Sequence, residues 1–363
     1  MNVAGIDAHA TYLVVSVVSK QGERLVGPTR IENRQPDRLL ELLEVHGPTE
    51  VVVETCPAWP WLHDLLTGTE HRFVLAHAKR LRGIAEQTYK RDEVDAELLA
   101  RMRLAGLIPE VYAKSIEQRD QAVLVRHRVT LVRIRTAAAN RIHGQIQAVG
   151  LRLARGWLLT REGRRWVREK AGPFFAPEQA HLVETHFELI DHLRERIRAL
   201  DRRIEEVAAE IPAARLLQTI PGVGSYRSLL IATEVLPIER FPAPKHLVSY
   251  AGLAPRTRRS GLKPIRHGST PAGANRWLRG ALVRAVVSHR QNAPESWLSA
   301  YYDHHKERVG WPVARVAAAR KLARAMHAML RRGEAWRGER DESSAARGEF
   351  RASHVATTSH AAD

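Results

Sequence analysis

Four carboxylate residues near the start of the chain have the types and spacing that could do chemistry. Asp92 and Asp95 lie three positions apart in KRDEVDAELLA, so a helix there would carry both side chains on one face. Asp7 follows an apolar run, and Glu54 follows three consecutive valines. Carboxylates attached to buried strands cost free energy unless they are paired or bind metal. The two aspartates would also repel each other unless a positive group lies between them.

Taken together, the four acids predict a metal site. They could hold two divalent ions about 4 Å apart, an arrangement that activates and stabilises oxygens in phosphodiester cleavage. Oxygen ligands without a thiol favour Mg²⁺ or Mn²⁺. Each acid alone has a simpler interpretation: Asp7 as a turn residue, Glu54 as a charge at a strand end, and Asp92 with Asp95 as a solvated helix face.

The elements that must position these acids predict an α/β N-terminal domain. Two apolar runs around Asp7 and the segment GERLVGPTRIE predict a meander of strands. PDRLLELLEVHG has a proline start, leucines at helical spacing and a glycine stop, which together predict a helix. TEVVVE, ending at Glu54, and RFVLAHA predict two further strands ahead of the helix that carries Asp92 and Asp95.

The charge of the chain predicts a polyanionic partner. The formal net charge of the 363 residues is +17, and the length is sufficient for two or three domains. Residues 121–170 contain 12 Lys or Arg and two acids, and residues 251–290 contain nine and no acid. Clusters of this kind favour nucleic-acid binding through phosphate neutralisation; a solvated basic face is the alternative.

The sequence also argues against several other classes of protein. No apolar run reaches the roughly 18 residues that a membrane-spanning helix needs, and the N-terminus lacks a signal-peptide pattern. The single cysteine, Cys56, excludes an intrachain disulfide and a cysteine-based zinc site. We therefore expect no membrane partner and a reducing cytoplasm.

The middle of the chain is predicted to be helical. From Gln118 to Val149 apolar residues recur among many arginines without strand-type alternation. A second helix carries apolar residues in steps of four and three, the pattern of a coiled-coil seam: Leu193, Ile197, Leu200, Ile204, Val207 and Ile211. The seam predicts self-association, and the alternative is an ordinary helix packed on its own domain. EKAGPFFAPEQ, between the two helices, is predicted to be a loop.

A third region carries a glycine turn and a basic serine segment. LLQTIPGVGSYRSLLIA places Gly222 and Gly224 in a tight turn between apolar helices, where backbone N–H groups could meet a phosphate. Ser260 lies in RTRRSGLKP among arginines and a lysine. A serine hydroxyl is a weak nucleophile that needs activation, whereas guanidinium groups can neutralise charge developing on a phosphate. From these residues alone, a phosphate-contacting serine is the simpler interpretation.

The order of these motifs resembles one known family. Asp7 in GIDAH, Glu54 in VVVETCPAW, and Asp92 with Asp95 in KRDEVDAELLA resemble the three acidic blocks of the DEDD transposases of bacterial insertion sequences, the family of bridge-RNA-guided recombinases. IPGVG, YAGLAP, SG and GANRWLRGAL follow in the order of that family's C-terminal domain. The resemblance covers most of residues 1–333.

The resemblance implies a fold and a division into domains. It implies a ribonuclease-H-like (RuvC-like) α/β domain at 1–112 and a helical coiled-coil segment for multimerisation at 113–212. A mainly α-helical C-terminal transposase domain is expected at 213–333. Residues 334–363 are rich in Ala, Ser, Glu and Arg and poor in large apolar groups, so we expect a disordered tail there.

The resemblance also implies a reaction and its partners. The four acids would bind two Mg²⁺ or Mn²⁺ ions, and Ser260 would attack DNA to form a covalent phosphoserine. The residues expected to bind nucleic acid are Gly222, Gly224, Arg256, Arg258, Arg259, Lys263, Arg266, Asn275 and Arg279. The implied partners are double-stranded DNA of the element ends and target, a structured guide RNA, and further copies of the chain in a dimer or tetramer. A cytoplasmic, nucleoid-associated enzyme is expected.

Three other functions remain open at this point. A Holliday-junction resolvase would share the acidic domain but would not need Ser260 or a second basic domain. An exonuclease with a DEDD set would degrade ends without a covalent intermediate. A DNA-binding structural protein would tolerate the loss of all four acids.

Overall fold

The chain forms two compact units, Met1–Asp120 and Gln121–Asp363. The computed structural model describes residues 1–81, 92–254, 256–258, 266–268 and 274–338. Within these ranges the backbone alone is described for 92–94, 256–258 and 266–268.

The first unit is a mixed six-stranded sheet with helices packed on both faces. Its strands are β1 Asn2–Ala8, β2 Tyr12–Val18, β3 Arg24–Glu32, β4 Thr49–Glu54, β5 Arg72–Ala76 and β6 Glu110–Val111. Its helices are α1 Pro36–Glu44, α2 Trp59–Leu66, α3 Ala78–Leu81 and α4 Asp92–Leu104. The strand order is β3-β2-β1-β4-β5-β6. β1, β2 and β3 form an antiparallel meander, and β4 and β5 run parallel to β1.

Side-chain alternation along the strands produces two separate cores. Ala4 and Ile6 of β1 belong to the core on the face that α1 and α2 cover. Val3 and, on β4, Val52 belong to the core on the opposite face, which α4 covers. Because the period of a strand is two residues, the same alternation decides which face receives each polar side chain. The prediction of an α/β N-terminal domain is confirmed at this level.

In the part that the structure describes, the second unit is mainly helical with one short ribbon, as the sequence predicts. Its helices are α5 Ile116–Ala148 (whose first turn belongs to the first unit), α6 Arg161–Trp166, α7 Pro177–Glu210, α8 Pro212–Gln218, α9 Ser225–Val235, α10 Pro244–Tyr250, α11 Arg276–Asn292, α12 Trp297–Val309 and α13 Trp311–Arg332. The ribbon pairs β7 Arg256–Arg258 with β8 Arg266–Gly268 in antiparallel register. Shorter turns are the 3-10 segments Trp157–Leu159, Gly172–Phe174 and Ile238–Arg240 and the π turn Val167–Ala171. The prediction of a loop over EKAGPFFAPEQ is therefore wrong for most of its length, because residues 169–174 lie in the π and 3-10 turns and residues 177–179 lie in α7.

α5 and α7 form an antiparallel hairpin whose core lies within the chain. Arg128 of α5 donates to Asp201 of α7 at 2.7 Å, and further along the pair Ile142 shares a core with Phe187. Leu193, Ile197 and Ile204 of the predicted seam are buried, and its other three residues are partly buried. The structure thus favours the ordinary packed helix over a self-associating seam at these residues. Oligomerisation stays a prediction and would need another surface.

The stretch that follows α13 begins with ordered residues. Trp336 stacks on Trp297 with ring centroids 5.4 Å apart, and its backbone N–H donates to the Thr219 hydroxyl at 2.9 Å. Residues 339–363, the remainder of the predicted tail, lie outside the described residues. None of the helices that the structure describes is long and apolar enough to cross a membrane.

Candidate active site

Asp7 and Glu54 lie side by side at the carboxyl ends of two neighbouring strands. β1 and β4 are parallel, and Ile6 lies opposite Val53 in their register. Asp7 and Glu54 are the next residues on the two strands. Polar groups gathered at adjacent carboxyl ends of parallel strands form the usual place for a site in an α/β sheet.

Both carboxylates belong to the face of the sheet that α4 covers. Val3 and Val52 pack into the core beneath α4. Asp7 lies four residues after Val3, and Glu54 lies two residues after Val52, so the strand period gives all four side chains the same face. The helix that carries Asp92 and Asp95 therefore packs on the face to which Asp7 and Glu54 belong.

Gly5 allows α4 to lie directly on β1. A Cβ atom built on Gly5 would overlap the carbonyl oxygen of Ala96 and lie 2.8 Å from the amide nitrogen of Ala100. A residue without a side chain is thus required for this approach of backbone to backbone. The contact places the first half of α4 two residues from Asp7 along β1.

Two arginines in the last turn of α4 fix the direction of the helix. Nε of Arg103 donates to Oε2 of Glu50 at 2.6 Å, near the start of β4, and Arg101 donates to the carbonyl of Gly22 at 3.3 Å in the turn after β2. The end of α4 therefore lies at the amino ends of β1 and β4. Its beginning points to their carboxyl ends, where Asp7 and Glu54 lie.

The spacing along helix and strand brings Asp95 to the level of Glu54. Eight residues of helix separate Arg103 from Asp95, or about 12 Å at 1.5 Å per residue. Four residues of strand separate Glu50 from Glu54, or about 13 Å at 3.3 Å per residue. Because Arg103 and Glu50 are in contact, Asp95 and Glu54 lie at about the same height along the sheet.

His9 is a neighbour of Asp7 that the site prediction omitted. Its Nε2 lies 3.1 Å from Oδ2 of Asp7, and its ring stacks on Tyr12 with centroids 4.5 Å apart. The amide of Asn33 donates to the His9 carbonyl at 3.1 Å. The contact orients the Asp7 carboxylate. The two-residue spacing of Asp7 and His9 in GIDAH was the signal that could have predicted it.

The thiol of the single cysteine, Cys56, is influenced by the carboxylates of Asp7 and Glu54. Burial raises the pKa of the Cys56 thiol, and the carboxylates of Glu54 and Asp7 raise it further. Both acids therefore act on one nearby atom. A thiol that stays protonated is a poor nucleophile, so Cys56 is not suited to attack a substrate.

The donor chemistry of this cluster fits a hard divalent cation. Asp7, Glu54 and Asp95 would offer carboxylate oxygens, the ligands that Mg²⁺ prefers. Among the side chains that the structure describes, which exclude that of Asp92, no group of three or more His, Cys, Asp or Glu residues is close enough to hold a metal ion. A complete ligand set would thus have to include a residue outside those side chains, as Asp92 is.

The predicted serine and its basic neighbours belong to the second unit. Ser260, Arg259 and Lys263 lie outside the described residues. The remaining basic residues of the segment are on the ribbon, where Arg258 is the cross-strand partner of Arg266, and Arg256 that of Gly268. Antiparallel pairing brings these arginine positions onto one short hairpin, with Ser260 in the sequence that connects its strands.

The chain that leads into the serine segment is held by two arginines. Arg279 of α11 donates to the carbonyl oxygen of Gly252. Nε of Arg320 on α13 donates to the carbonyl of Leu253 at 3.1 Å. Arg279 was predicted to bind nucleic acid, and its described bond is within the chain; a contact with DNA stays a prediction.

Asn275 holds the point where the chain returns. Its Oδ1 accepts from the amide of Leu278 at 3.0 Å and caps α11, while its Nδ2 donates to Glu234 at 2.7 Å and to the Tyr250 hydroxyl at 3.0 Å. The Asn275 backbone N–H also donates to the Tyr250 carbonyl at 3.0 Å. The residues before and after the serine segment, Tyr250 and Asn275, are thus hydrogen-bonded to each other. As with Arg279, binding of DNA by Asn275 stays a prediction.

Glu234 is the buried centre of these contacts and was not predicted from the sequence. Only 2% of the residue is exposed. Nη2 of Arg126 donates to its carboxylate at 2.8 Å, opposite the bond from Asn275. A buried carboxylate is tolerated when such partners satisfy it. The partners are 108 and 41 residues away, so local sequence pattern could not reveal the group.

The two glycines of the predicted turn have different surroundings. Gly222 adopts φ +80°, and a Cβ there would lie 2.6 Å from the Ser288 carbonyl carbon. His289 fastens the same turn, since its Nδ1 lies 3.0 Å from the Pro221 carbonyl oxygen. Gly224 precedes α9 and has no atom near its Cβ position among the described residues. Gly222 is thus required for packing on α11, whereas Gly224 is open to a ligand.

Comparison with known families assigns both units to transposases. A family model for DEDD transposases of the IS110 type, described as Transposase, matches residues 4–150. A second model, described as Transposase IS116/IS110/IS902 family, matches residues 214–303. The first match contains all four predicted acids, and the second contains the glycine turn and Ser260.

Curated relatives agree with these matches. The chain is 30% identical over 254 residues to the transposase for insertion sequence element IS1111A of Coxiella burnetii, covering 68% of each chain. It is 29% identical over 263 residues to a probable family 20 transposase of Pseudomonas aeruginosa, covering 68% of this chain and 74% of the relative. A pilin gene-inverting protein of Moraxella bovis is 34% identical over 102 residues, 27% of this chain and 32% of that one.

The fold and the motif-bearing residues therefore define an enzyme that moves or rearranges DNA, a transposase or recombinase. The chain belongs to the IS110 family of insertion-sequence transposases. The transposase assignment implies a DNA substrate, and the DEDD class indicates the use of divalent metal in general.

Proposed function

We propose that this transposase cuts and rejoins DNA strands with carboxylates of the first unit and the hydroxyl of Ser260 in the second. The observation that carries the proposal is the position of Asp7 and Glu54 on adjacent strand ends, on the face that α4 covers. The direction of α4 brings Asp95 to the same end of the sheet. Acids that served only as separate surface charges would not need to lie together at one end of the sheet.

The fold of the first unit supports a ribonuclease-H-like, RuvC-like assignment within this proposal. A three-stranded antiparallel meander continues into two parallel strands in the order β3-β2-β1-β4-β5. Helices cover both faces. In this arrangement the first strand is central and carries Asp7, and the next parallel strand carries Glu54.

The acids of the first unit would hold and orient a divalent ion. Asp7, Glu54, Asp92 and Asp95 are the proposed ligands, and Mg²⁺ or Mn²⁺ would stabilise charge on the oxygens of the scissile phosphate. His9 would keep the Asp7 carboxylate in its orientation.

Ser260 would supply the nucleophile. A bond forms between its Oγ and the phosphorus, and the bond from phosphorus to one sugar oxygen breaks. The hydroxyl proton leaves to a base, and the departing sugar oxygen takes up a proton. Strand joining reverses these steps, with the hydroxyl of a DNA end displacing the serine. The phosphodiester energy is conserved in the phosphoserine, so rejoining needs no cofactor for energy.

The basic residues around Ser260 would bind the phosphate that reacts. Arg256, Arg258 and Arg266 are on the ribbon, and Arg259 and Lys263 are in the sequence between its strands. Guanidinium groups bind phosphate oxygens with paired N–H donors and neutralise the charge that develops during attack.

Two further partners belong to the proposal on the strength of the family alone. A structured guide RNA would select the DNA sites, and a dimer or tetramer would bring together the ends that are joined. The proposal requires Ser260 to reach the phosphate held by the acidic unit, from the same chain or from another copy. The competing function is a resolvase-like nuclease in which water, activated by metal, takes the place of the serine.

The acidic half of the proposal is tested by Asp7→Asn, with Asp37→Asn on exposed α1 as the matched control. Asp7→Asn should lose cleavage of an element-end substrate by at least about a hundredfold, since a metal ligand lost at the reacting centre removes transition-state stabilisation. Duplex binding and thermal stability should change little. A variant that cuts at the wild-type rate would show that Asp7 is not a ligand.

A further inference from the structure

Four arginines and two aromatic rings form one surface in the second unit. The arginine–aromatic surface consists of Arg128 and Arg133 of α5, Tyr226 and Arg227 of α9, and Trp277 and Arg284 of α11. All four guanidinium groups act electrostatically on the phenol of Tyr226. Three helices that are distant in sequence therefore bring their positive charge to one place.

Aromatic faces hold two of these arginines. The Arg128 guanidinium lies 4.5 Å from the centre of the Tyr226 ring, and that of Arg133 lies 5.4 Å from the Trp277 ring. An arginine that lies over a ring loses little hydrogen-bonding capacity, because its N–H donors point outward in the guanidinium plane. The Trp277 ring thus holds Arg133 in a position where it can bind an external anion.

Internal acids do not balance the charge. Among the described residues, Asp201 pairs with Arg128, whereas Arg133, Arg227 and Arg284 have no acidic partner. Arg227 donates to the carbonyl of Gly222 at 2.6 Å, a bond that leaves its charge unneutralised.

The closeness of these arginines to one another affects the pKa of Arg227. Burial lowers the pKa of Arg227, and the charges of Arg284 and Arg128 lower it further. Arginines that repel one another in this way are stabilised when a polyanion binds between them.

We propose that the arginine–aromatic surface binds the phosphate backbone of duplex DNA. Exposed Arg133 and Arg284 would each contact a phosphate, and the open start of α9 at Gly224 would offer N–H groups to the same backbone. DNA is the substrate class that the family establishes. The proposal adds a site for it and does not depend on the serine or metal chemistry proposed above.

The experiment measures equilibrium binding of the full chain to a labelled element-end duplex, without divalent metal, as a function of salt. Arg133→Gln with Arg284→Gln is compared with wild type. Each lost phosphate contact should make the slope of log affinity against log salt shallower by about 0.9, so the pair should change it by about 1.8. Between 50 and 200 mM salt, wild type should therefore lose about tenfold more affinity than the double variant.

The control removes the same charge elsewhere. Arg331→Gln with Arg332→Gln, in the exposed last turn of α13, lowers net charge equally and should leave the slope near the wild-type value. Circular dichroism of each variant excludes a loss of folding as the cause. Because Ser260→Ala should bind DNA like wild type in this assay, failure of the surface and failure of the serine mechanism are distinguishable.

Two results would overturn the proposal. An unchanged salt slope in the Arg133 and Arg284 double variant would show that the surface does not contact DNA. A loss of binding confined to a structured RNA of similar length, with duplex DNA binding unchanged, would assign the surface to RNA instead.

Discussion

The side-chain amide of Asn275 donates a 2.7 Å hydrogen bond to the carboxylate of Glu234, a residue that is 2% exposed. Asn275 stands where the chain returns from the serine segment to α11. Its second amide contact is to Tyr250, just before the chain departs toward that segment. Asn275 therefore ties together the two ends of the stretch that carries Ser260, and the buried Glu234 holds Asn275 in place.

Asn275→Asp tests this bond while keeping the helix cap. Aspartate caps helices as well as asparagine does, but it offers no N–H to the buried Glu234 and places a second negative charge beside it. We expect a loss of about 1–3 kcal/mol in the free energy of unfolding, the cost of an unsatisfied buried charged group. Urea titration measures it.

Asn140→Asp, on the exposed face of α5, is the control for that prediction and should change stability by less than about 0.5 kcal/mol. If Asn275→Asp proves as stable as wild type but binds DNA poorly, Asn275 contacts DNA directly and the internal bond is unimportant.

Gly5→Ala tests the packing of α4 on β1. The added methyl group would meet the backbone of Ala96 and Ala100, which cannot move without lifting the helix. We expect a loss of about 1–3 kcal/mol and a loss of DNA cleavage, because Asp92 and Asp95 would shift away from Asp7. Thermal unfolding and a strand-cleavage assay measure the two effects.

Gly27→Ala in β3 is the matched change, since the nearest atom to its Cβ position is the Arg24 side chain at 4.0 Å. It should leave cleavage intact. Normal cleavage by Gly5→Ala would mean that the position of α4 does not matter to the reaction.

The pair of Glu50 and Arg103 predicts a dependence of stability on acid pH. The hydrogen bond from Arg103 is the main cause that lowers the pKa of Glu50, although burial opposes it. A carboxyl with a lowered pKa in the folded state stabilises the protein above its unfolded pKa, near 4.5. That stabilisation is lost as the pH falls through the folded value.

Glu50→Gln should therefore be less stable than wild type at pH 7, by about 1–2 kcal/mol, and should approach wild type as the pH falls below about 4. Chemical denaturation at several pH values measures both. Glu44→Gln, exposed at the end of α1, should track wild type throughout. A constant difference between Glu50→Gln and wild type at every pH would assign the effect to packing.

Strand period and chain order were enough to predict the first unit in outline. Three valines before Glu54 and an apolar run before Asp7 predicted buried strands that end in acids, and β4 and β1 confirm both. The proline start, the helical spacing of leucines and the glycine stop in PDRLLELLEVHG predicted α1. These signals succeed because each depends on residues within a few positions of one another.

Contacts between distant residues could not be predicted in the same way. The apolar seam of α7 has the same spacing whether its partner is another chain or α5, and the structure shows Arg128 of α5 beside Asp201. Glu234 resembles any acid in a short helix until Arg126 and Asn275 are brought to it. Sequence pattern records the period of an element, whereas the partner of each face is decided by tertiary packing.

The direct test of the account is to trap the covalent intermediate at Ser260. A labelled, nicked element-end substrate is incubated with Mg²⁺, the reaction is stopped with denaturant, and protein–DNA adducts are separated and mapped. Wild type should give an adduct whose phosphate is on Ser260. Ser260→Ala should give none while binding DNA normally, and Ser269→Ala, the same change in the same segment, should retain the adduct. Cleavage and rejoining by Ser260→Ala, with no adduct in any reaction, would contradict the account and assign the attack to water.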